Sequence, residues 1–490
     1  MGNSPRTASI HILDDDSLLH VFYLYRPFLS GEDQDDYVRL RGGDEIETRG
    51  RWWYKPAQVC QRWRNIILGS ASYLGLFLVC TYGTPVADML AHSPPLPLVV
   101  HYVTKGRDVT RLTTDEEQGI IFALKQRERV LRVRLSELDT DLLEKFIAVM
   151  DEEFPILEYL IISTPTEVNC DNSTILTFPE NLQAPHLRLL WLRGFQVAIP
   201  MGYQLLTTAV SPVTLYLVMV HPSTYFHPNA LLRWISLMPQ LEALTIYFKV
   251  STPNRDVERQ LAHTPTIAPV TLPNLRDFAF HGVSTYLEAL VRRITAPRLK
   301  KLRIEFFSQL TYFVPRLLQL INTAEDLRFH RASLFFIDRR VEVAVYPHGD
   351  FGSIETYAFA IEVLCWHLDW QVSSMVQISN LLNQVFSAVE RLDLVHKVHD
   401  RSSEEHNEVD RAEWRRLLRP FSNVKTLRIA EGLVEDLSRC LLLEDGELPL
   451  EVLPELQELT YYGSGDTGDV FTPFIDARRN AGRPVKLDRQ

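Results

Sequence analysis

The chain has 490 residues, 46% of them hydrophobic and 23% charged, with a formal net charge of -11 at pH 7. That length exceeds one compact core, although an elongated repeat array escapes the limit, and the acidic balance lacks the basic footprint of a nucleic-acid-binding protein. No apolar run approaches the roughly 18 residues of a membrane span, and the first residues lack the apolar core of a signal peptide.

Residues 1–9 are polar and are expected to be unstructured. Arg6 stands where a myristoylation signal after Met1-Gly2 needs Ser or Thr. Two apolar helical segments follow. In the first, Ile10 to Phe22, Asp14 to Asp16 supply an N-cap and negative charge at the helix start, and Leu18, Leu19 and Phe22 share a face widened by Val21 and Tyr25. In the second, Trp52 to Leu68, Pro56 opens a helix in which Val59, Cys60, Trp63, Ile66 and Ile67 recur at helical spacing, and Gly69 stops it. Between them, Pro27 to Arg51 is a mixed-charge run carrying Glu32, Asp33, Asp35, Asp36, Asp44, Glu45 and Glu47, read as a solvated loop. A unit this small cannot hide so much apolar surface within itself. Either the rest of the chain or another protein covers it.

Leu13-Asp-Asp-Asp-Ser-Leu-Leu-His-Val-Phe22 followed by Val59-Cys-Gln-Arg-Trp63-Arg resembles an F-box, with Leu13, Leu18, Leu19, Val21, Phe22, Val59, Cys60 and Trp63 matching position by position. It departs from the family in having Asp14 where proline is usual, and in the interruption between Pro27 and Arg51. The stretch Leu78 to Val86 is similar to the continuation found in the expanded F-box set of mushroom-forming fungi. The resemblance implies that residues 10–75 dock the adaptor subunit of an SCF-type cullin–RING ubiquitin ligase, with Phe22, Val59 and Trp63 as interface anchors. The alternative is an ordinary helical cap on whatever follows.

Residues 76–128 read as a linker with the first capping strands: Leu76, Leu78 and Cys80 alternate, and Leu96 to Tyr102 forms a second strand. From residue 129 to 490 a pattern takes over, with apolar residues at i, i+3 and i+5 and usually Pro at i-2. Its copies start at Val130, Leu157, Leu187, Leu241, Leu275, Leu299, Ala324, Val389, Val424 and Leu456, with a degraded one in Val210 to Leu217. This is the leucine-rich-repeat core in an irregular form. Amphipathic helical stretches such as Leu231 to Met238 and Met375 to Val385 lie between copies. The expected fold is α/β: an N-terminal helical F-box, then a leucine-rich-repeat solenoid with a curved parallel sheet and outer helices.

Three stretches depart from the repeat. Val341/Val343/Val345 and Tyr357/Phe359/Ile361/Val363 alternate around Pro347 to Gly352, predicting two extra strands joined by a hairpin loop. Residues 251–271 and 396–410 read as surface loops, and Gly463 to Gly468 as a link to a final capping piece.

No phosphate-binding glycine loop, nucleophile elbow or zinc signature is present. The cysteines Cys60, Cys80, Cys170, Cys365 and Cys440 are far apart and are expected to be free thiols in a reducing, cytoplasmic or nuclear, compartment. His396/His399/Asp400 and Cys365/His367 are read as loop and packing residues, so no metal, cofactor or catalytic role is expected. Strand positions i+2 and i+4 point away from the core. They carry Trp191 early and Lys301, Arg303, Arg328, Arg391 and Arg428 later, which suggests an acidic or phosphorylated target protein. The expected function is that of a non-catalytic substrate receptor, with a repeat scaffold lacking any ligase link as the alternative.

Overall fold

The computed structural model describes residues 13–27, 50–103, 112–164, 179–195, 205, 211–219, 227–249, 268–324, 327, 329–347, 357–397, 409–442, 450–462 and 470–489. The chain divides into two compact units, Met1–Pro212 and Val213–Gln490, and the division falls inside the stretch read as one array.

The first unit opens with helices α1 (Asp15–Tyr25), α2 (Tyr54–Val59), α3 (Gln61–Gly69) and α4 (Ala71–Leu74). Asp14 caps α1, its carboxylate accepting from the Ser17 amide at 2.7 Å. The single helix predicted after Pro56 is instead broken in two. Cys60 adopts an extended backbone, and its thiol accepts from the Trp63 amide at the start of α3. A sheet of five parallel strands follows, in the order β1 (Leu78–Cys80), β2 (Leu98–Val103), β3 (Val130–Ser136), β4 (Tyr159–Ser163) and β5 (Leu189–Phe195). The passage read as a linker also holds α5 (Val86–His92) and α6 (Thr114–Leu124), the latter started by a Thr113/Glu116 capping box. Helix α7 (Thr140–Val149) lies between β3 and β4 in the chain.

The second unit is an eleven-stranded sheet in the order β6 (Thr214–Met219), β7 (Ala243–Phe248), β9 (Asp277–Gly282), β11 (Lys301–Phe306), β14 (Phe359–Leu364), β13 (Arg340–Tyr346), β12 (Arg331–Ile337), β15 (Arg391–Lys397), β16 (Thr426–Ile429), β17 (Glu458–Tyr461) and β18 (Lys486–Arg489). Strands β8 (Val270–Thr271) and β10 (Ile294–Thr295) form a separate pair. All neighbours in the large sheet run parallel except β13, which is antiparallel to both β12 and β14. The predicted extra strands are therefore present as β13 and β14, though most of their connecting loop lies outside the described residues. Eight helices belong to the described part of this unit: α8 (Pro228–Ser236), α9 (Ser284–Val291), α10 (Pro315–Thr323), α11 (Leu368–Leu381), α12 (Asn383–Phe386), α13 (Arg411–Leu418), α14 (Val434–Leu441) and α15 (Thr472–Asn480).

Nine of the ten predicted copies place i+3 and i+5 in a strand, and their i, i+3 and i+5 side chains are at most 4% exposed. Ala324 is the exception. Leu327 is buried but not in a strand, the nearby strand begins at Arg331, and Asp326 and Arg328 lie outside the described residues. The role of proline is a turn. In Phe154-Pro-Ile-Leu157, Ala184-Pro-His-Leu187, Met238-Pro-Gln-Leu241, Leu272-Pro-Asn-Leu275, Ala296-Pro-Arg-Leu299 and Leu453-Pro-Glu-Leu456, the leucine amide donates to the carbonyl three residues earlier at 3.1 to 3.3 Å. Proline's fixed φ suits the second position of such a turn. Helices cover the leucine side of the sheet, as when Tyr286 of α9 packs on Phe248 and Phe280, and Trp414 of α13 on Phe336.

The last of these turns is clamped from α15. Arg478 is wholly buried and donates to the carbonyls of Leu453 at 3.1 Å, Pro454 at 3.0 Å and Leu456 at 3.2 Å. Arg478→Met would leave those oxygens without their donor, so a loss of about 2–4 kcal/mol is expected from denaturant midpoints. Arg479→Met, on the exposed side of the same helix, should change stability by less than about 0.5 kcal/mol.

Candidate interaction surfaces

Helices α1 and α3 are tied at their starts: Arg62 donates to Asp15 Oδ1 at 2.8 Å and to the Leu13 carbonyl at 2.6 Å. Leu18 and Phe22 point into the unit, Phe22 being 2% exposed and edge-on to the half-buried Trp63 at 5.0 Å. Phe22 is thus a core residue and not the exposed anchor expected of it. Leu19 and Cys60 are half-buried. The exposed apolar side chains of these helices include Leu13, Val21 at 43%, Leu24 at 69%, Tyr25 at 60% and Val59 at 62%, with Tyr23 and Tyr73 packed on each other beside them. Val21, Leu24 and Tyr25 fall at i, i+3 and i+4, the second face of α1, which the sequence pattern shows once Leu18 and Phe22 are assigned inward.

The predicted binding cations sit on the sheet face away from the helices, with a different character from the one expected. Lys301 lies 5.1 Å from the Tyr357 ring centroid. Arg303 pairs with Glu362 at 3.5 Å, and the other oxygen of Glu362 takes Arg340 at 3.1 Å. Arg391 and Arg428 are half-buried on β15 and β16, Trp191 is half-buried on β5, and Arg328 lies outside the described residues. Beside them runs a row absent from the sequence reading. Tyr247, His281, Glu305, Glu362 and Glu342 are lateral neighbours across β7, β9, β11, β14 and β13.

This row is crowded, with His281 and Glu362 buried and the other three half-buried. The His281 ring stacks on Tyr247 at 3.9 Å, meets Phe307 edge-on at 4.5 Å, and places Nε2 3.3 Å from Glu305 Oε1. Burial, reinforced by the Glu362 charge and opposed by Arg303 and Arg340, pushes the Glu305 carboxyl up to about 7. Burial pulls His281 down to about 4, and burial with the neighbouring Glu362 charge raises Glu342. Burial, then the carboxylates of Glu305 and Glu362, push the Tyr247 hydroxyl up to about 12. A neutral imidazole therefore faces a carboxyl that titrates near neutrality.

A third surface lies at the ends of β11 and β14. The four most exposed large apolar side chains described in this unit are Leu310, at 94%, Phe313, Trp366 and Trp370. Gln377 of α11 holds the Leu310 carbonyl and the Tyr312 amide, each at 3.2 Å. Trp370, Ser374 and Gln377 share one side of α11 at i, i+4 and i+7, so the loop bearing Leu310 and Phe313 adjoins Trp370. His367 meets Trp370 edge-on at 5.3 Å, and the Arg339 guanidinium lies 4.3 Å from the Trp366 centroid. Cys365 beside them is buried, its thiol pushed up to about 12 by that burial. Among the described residues no group of three or more His, Cys, Asp or Glu side chains is placed to hold a metal ion.

No family model matches the chain, and no curated protein matches it. Among solved structures, the leucine-rich repeat-containing protein LegL7 from Legionella pneumophila aligns over 83% of this chain and 98% of its own, at 10% identity and a TM-score of 0.26. A score that low carries no argument about fold or function.

The Glu305–His281 pair makes stability depend on pH in two opposed ways. The folded state keeps the Glu305 proton up to about 7, whereas an unfolded chain releases it near the ordinary carboxyl value of 4.5, so this contribution is full below pH 4.5 and is lost as pH rises toward 7. His281, buried neutral, loses stability as pH falls from 6.5 toward 4. Glu305→Gln is expected to be more stable than the parent by roughly 1–2 kcal/mol at pH 8, with the gap closing near pH 5. Urea midpoints at the two pH values check it; an equal gap at both would reject the pairing.

Proposed function

We propose that the chain is a non-catalytic protein–protein interaction scaffold serving as the substrate-recognition subunit of an SCF-type cullin–RING ubiquitin ligase. In this reading α1 to α3 dock the adaptor subunit that leads to the cullin, and the repeat units hold a target protein. The observation that carries it is the uncovered second face of α1, together with Val59, in a helical group that keeps its own core of Leu18 and Phe22. Aliphatic and aromatic side chains left in water in this way favour a partner surface. The activity would be one of proximity, with a target lysine held at high effective concentration beside the charged conjugating enzyme. The target surfaces are the mixed-charge sheet face and the aromatic ledge around Trp370. Because Glu362 neutralises Arg303, recognition of an acidic or phosphorylated target falls to Lys301 and Arg428.

One contact favours the second reading, a repeat scaffold with a simple helical cap. Trp53, 4% exposed, donates from its indole to the Phe77 carbonyl at 3.4 Å, so the segment leading into α2 is fixed to the approach of β1 as a cap would be.

Co-purification with the adaptor separates the two. Val21→Arg with Val59→Arg should abolish a stoichiometric complex while leaving the circular dichroism spectrum intact. Phe22→Ala should act differently, lowering the melting temperature through a core loss of about 3–5 kcal/mol. A parent chain indifferent to the adaptor, or an Arg/Arg variant that still captures it, would end the ligase reading.

A further inference from the structure

On the open face of the second unit, Glu305, Glu362 and Glu342 are lateral neighbours on β11, β14 and β13. The guanidiniums of Arg303 and Arg340 are both committed to the middle carboxylate, Glu362. The outer two are left without a cation. Among the described residues Glu342 has no hydrogen bond or ion pair, and Glu305 meets only the His281 ring. The connections at the nearest end of β9, β11, β14 and β13, namely residues 283, 307–314, 365–367 and 338–339, are all described, so the deficit belongs to these strands.

His281 is a second and separate sign of a missing group. It is 3% exposed, wedged between Tyr247 and Phe307. Its Nε2 is aimed at Glu305 Oε1 from 3.3 Å and yet makes no hydrogen bond. A buried neutral imidazole facing a carboxylate leaves polar atoms unmatched, which costs stability until a donor reaches them. An ammonium or guanidinium group brings several donors together with a positive charge. A metal ion does not fit, because among the described residues no group of three or more His, Cys, Asp or Glu side chains is placed to hold one.

We propose that this face takes a basic side chain of the target protein, a lysine or arginine seated on Glu305 beside Tyr247, with the Glu342 and Glu362 charges drawing it in. The inference rests on the reading in which the sheet face holds a target, and it does not need the ligase link. With Lys301 and Arg428 left for acidic side chains, the favoured target is a segment of mixed charge. The groups facing Glu305 are Tyr247, His281, Arg303, Glu362, Glu342 and Arg340. Between pH 6 and 8 Tyr247 keeps its proton and His281 stays neutral. Over the same range Glu305, raised to about 7 by burial and then by the Glu362 charge, gives up its proton. An arriving cation displaces that proton, so binding strengthens as pH rises.

The test is isothermal titration calorimetry of the full chain with the peptide Ac-Ser-Lys-Ser-Lys-Ser-NH2 at fixed ionic strength. The parent chain should bind it about tenfold more tightly at pH 8 than at pH 6, and the same peptide with acetylated lysines about tenfold more weakly at pH 8. Glu305→Gln should weaken binding about tenfold at pH 8 and remove the pH dependence, whereas Glu342→Gln should weaken it about threefold and keep that dependence. Glu435→Gln, exposed on α14, should change neither. The ratio between the two pH values in the parent chain needs no variant to fold. Equal affinity at pH 6 and 8 in the parent, a Glu305→Gln variant that still tightens with pH, or a loss in Glu435→Gln would each overturn the proposal. Co-purification with the adaptor reads the ligase link separately, so either can fail alone.

Discussion

The repeat depends on how each strand is started. A proline turn closes through the hydrogen bond from the leucine amide to the carbonyl three residues back, and the next residue reaches sideways to its counterpart in the preceding repeat. Thus the Arg188 amide donates to Glu158, Arg276 to Glu242, Lys300 to Arg276 and Gln457 to Lys425, each at 2.8 Å. With the start pinned in two directions the register has no freedom to slip, and the residues at i+3 and i+5 must point to the helix side. Each leucine buried there contributes about 1.5–3 kcal/mol, but only because a neighbour on either side completes its enclosure. A lone repeat would leave its apolar edge in water.

This mechanism explains which copies could be read from the sequence. Where apolar residues of full size stand at all three positions, the strand is found, with or without proline. At Ala324 the first side chain is a methyl group and Asn322 stands where proline would be. The turn still closes there, the Ala324 amide donating to the Ile321 carbonyl at 3.2 Å, but a methyl group is no anchor, and the strand forms later, at Arg331, as one of the two that bracket β13. Helix ends were less legible. The break at Cys60 depends on a thiol acting as cap, a weak acceptor with no sequence signature. Helix α6 does carry one, Thr113 followed by Glu116, which the alternating pattern of the surrounding passage obscured.

The electrostatics of the open face were half visible. The arginines and Lys301 occupy positions that any repeat reading assigns outward, whereas the carboxylates come from two other sources. Glu305 follows the last leucine position of its own repeat. Glu362 and Glu342 arrive through the reversed order β14-β13-β12, which inserts an antiparallel strand and brings residues distant in the chain beside Arg303 and Glu305. Strand order is a property of the sheet and not of any window of sequence. A cation counted as free on one strand is thereby neutralised from the next.

The N-terminal helices pose the opposite problem, because there the pattern was clear and the assignment of faces was not. A helix of eleven residues with apolar side chains at positions 18, 19, 21, 22, 24 and 25 has more apolar surface than one contact can cover. Packing against α3 takes Leu18 and Phe22, since Arg62 holds the two helix starts together and sets Trp63 against the Phe22 ring. Trp53 in turn binds the segment ahead of α2 to the approach of β1, so the group has little freedom to rotate its remaining apolar side toward its own unit. Val21, Leu24 and Tyr25 are exposed because the inward contacts are already filled. The exposed apolar face therefore lies one step round the helix from Leu18 and Phe22.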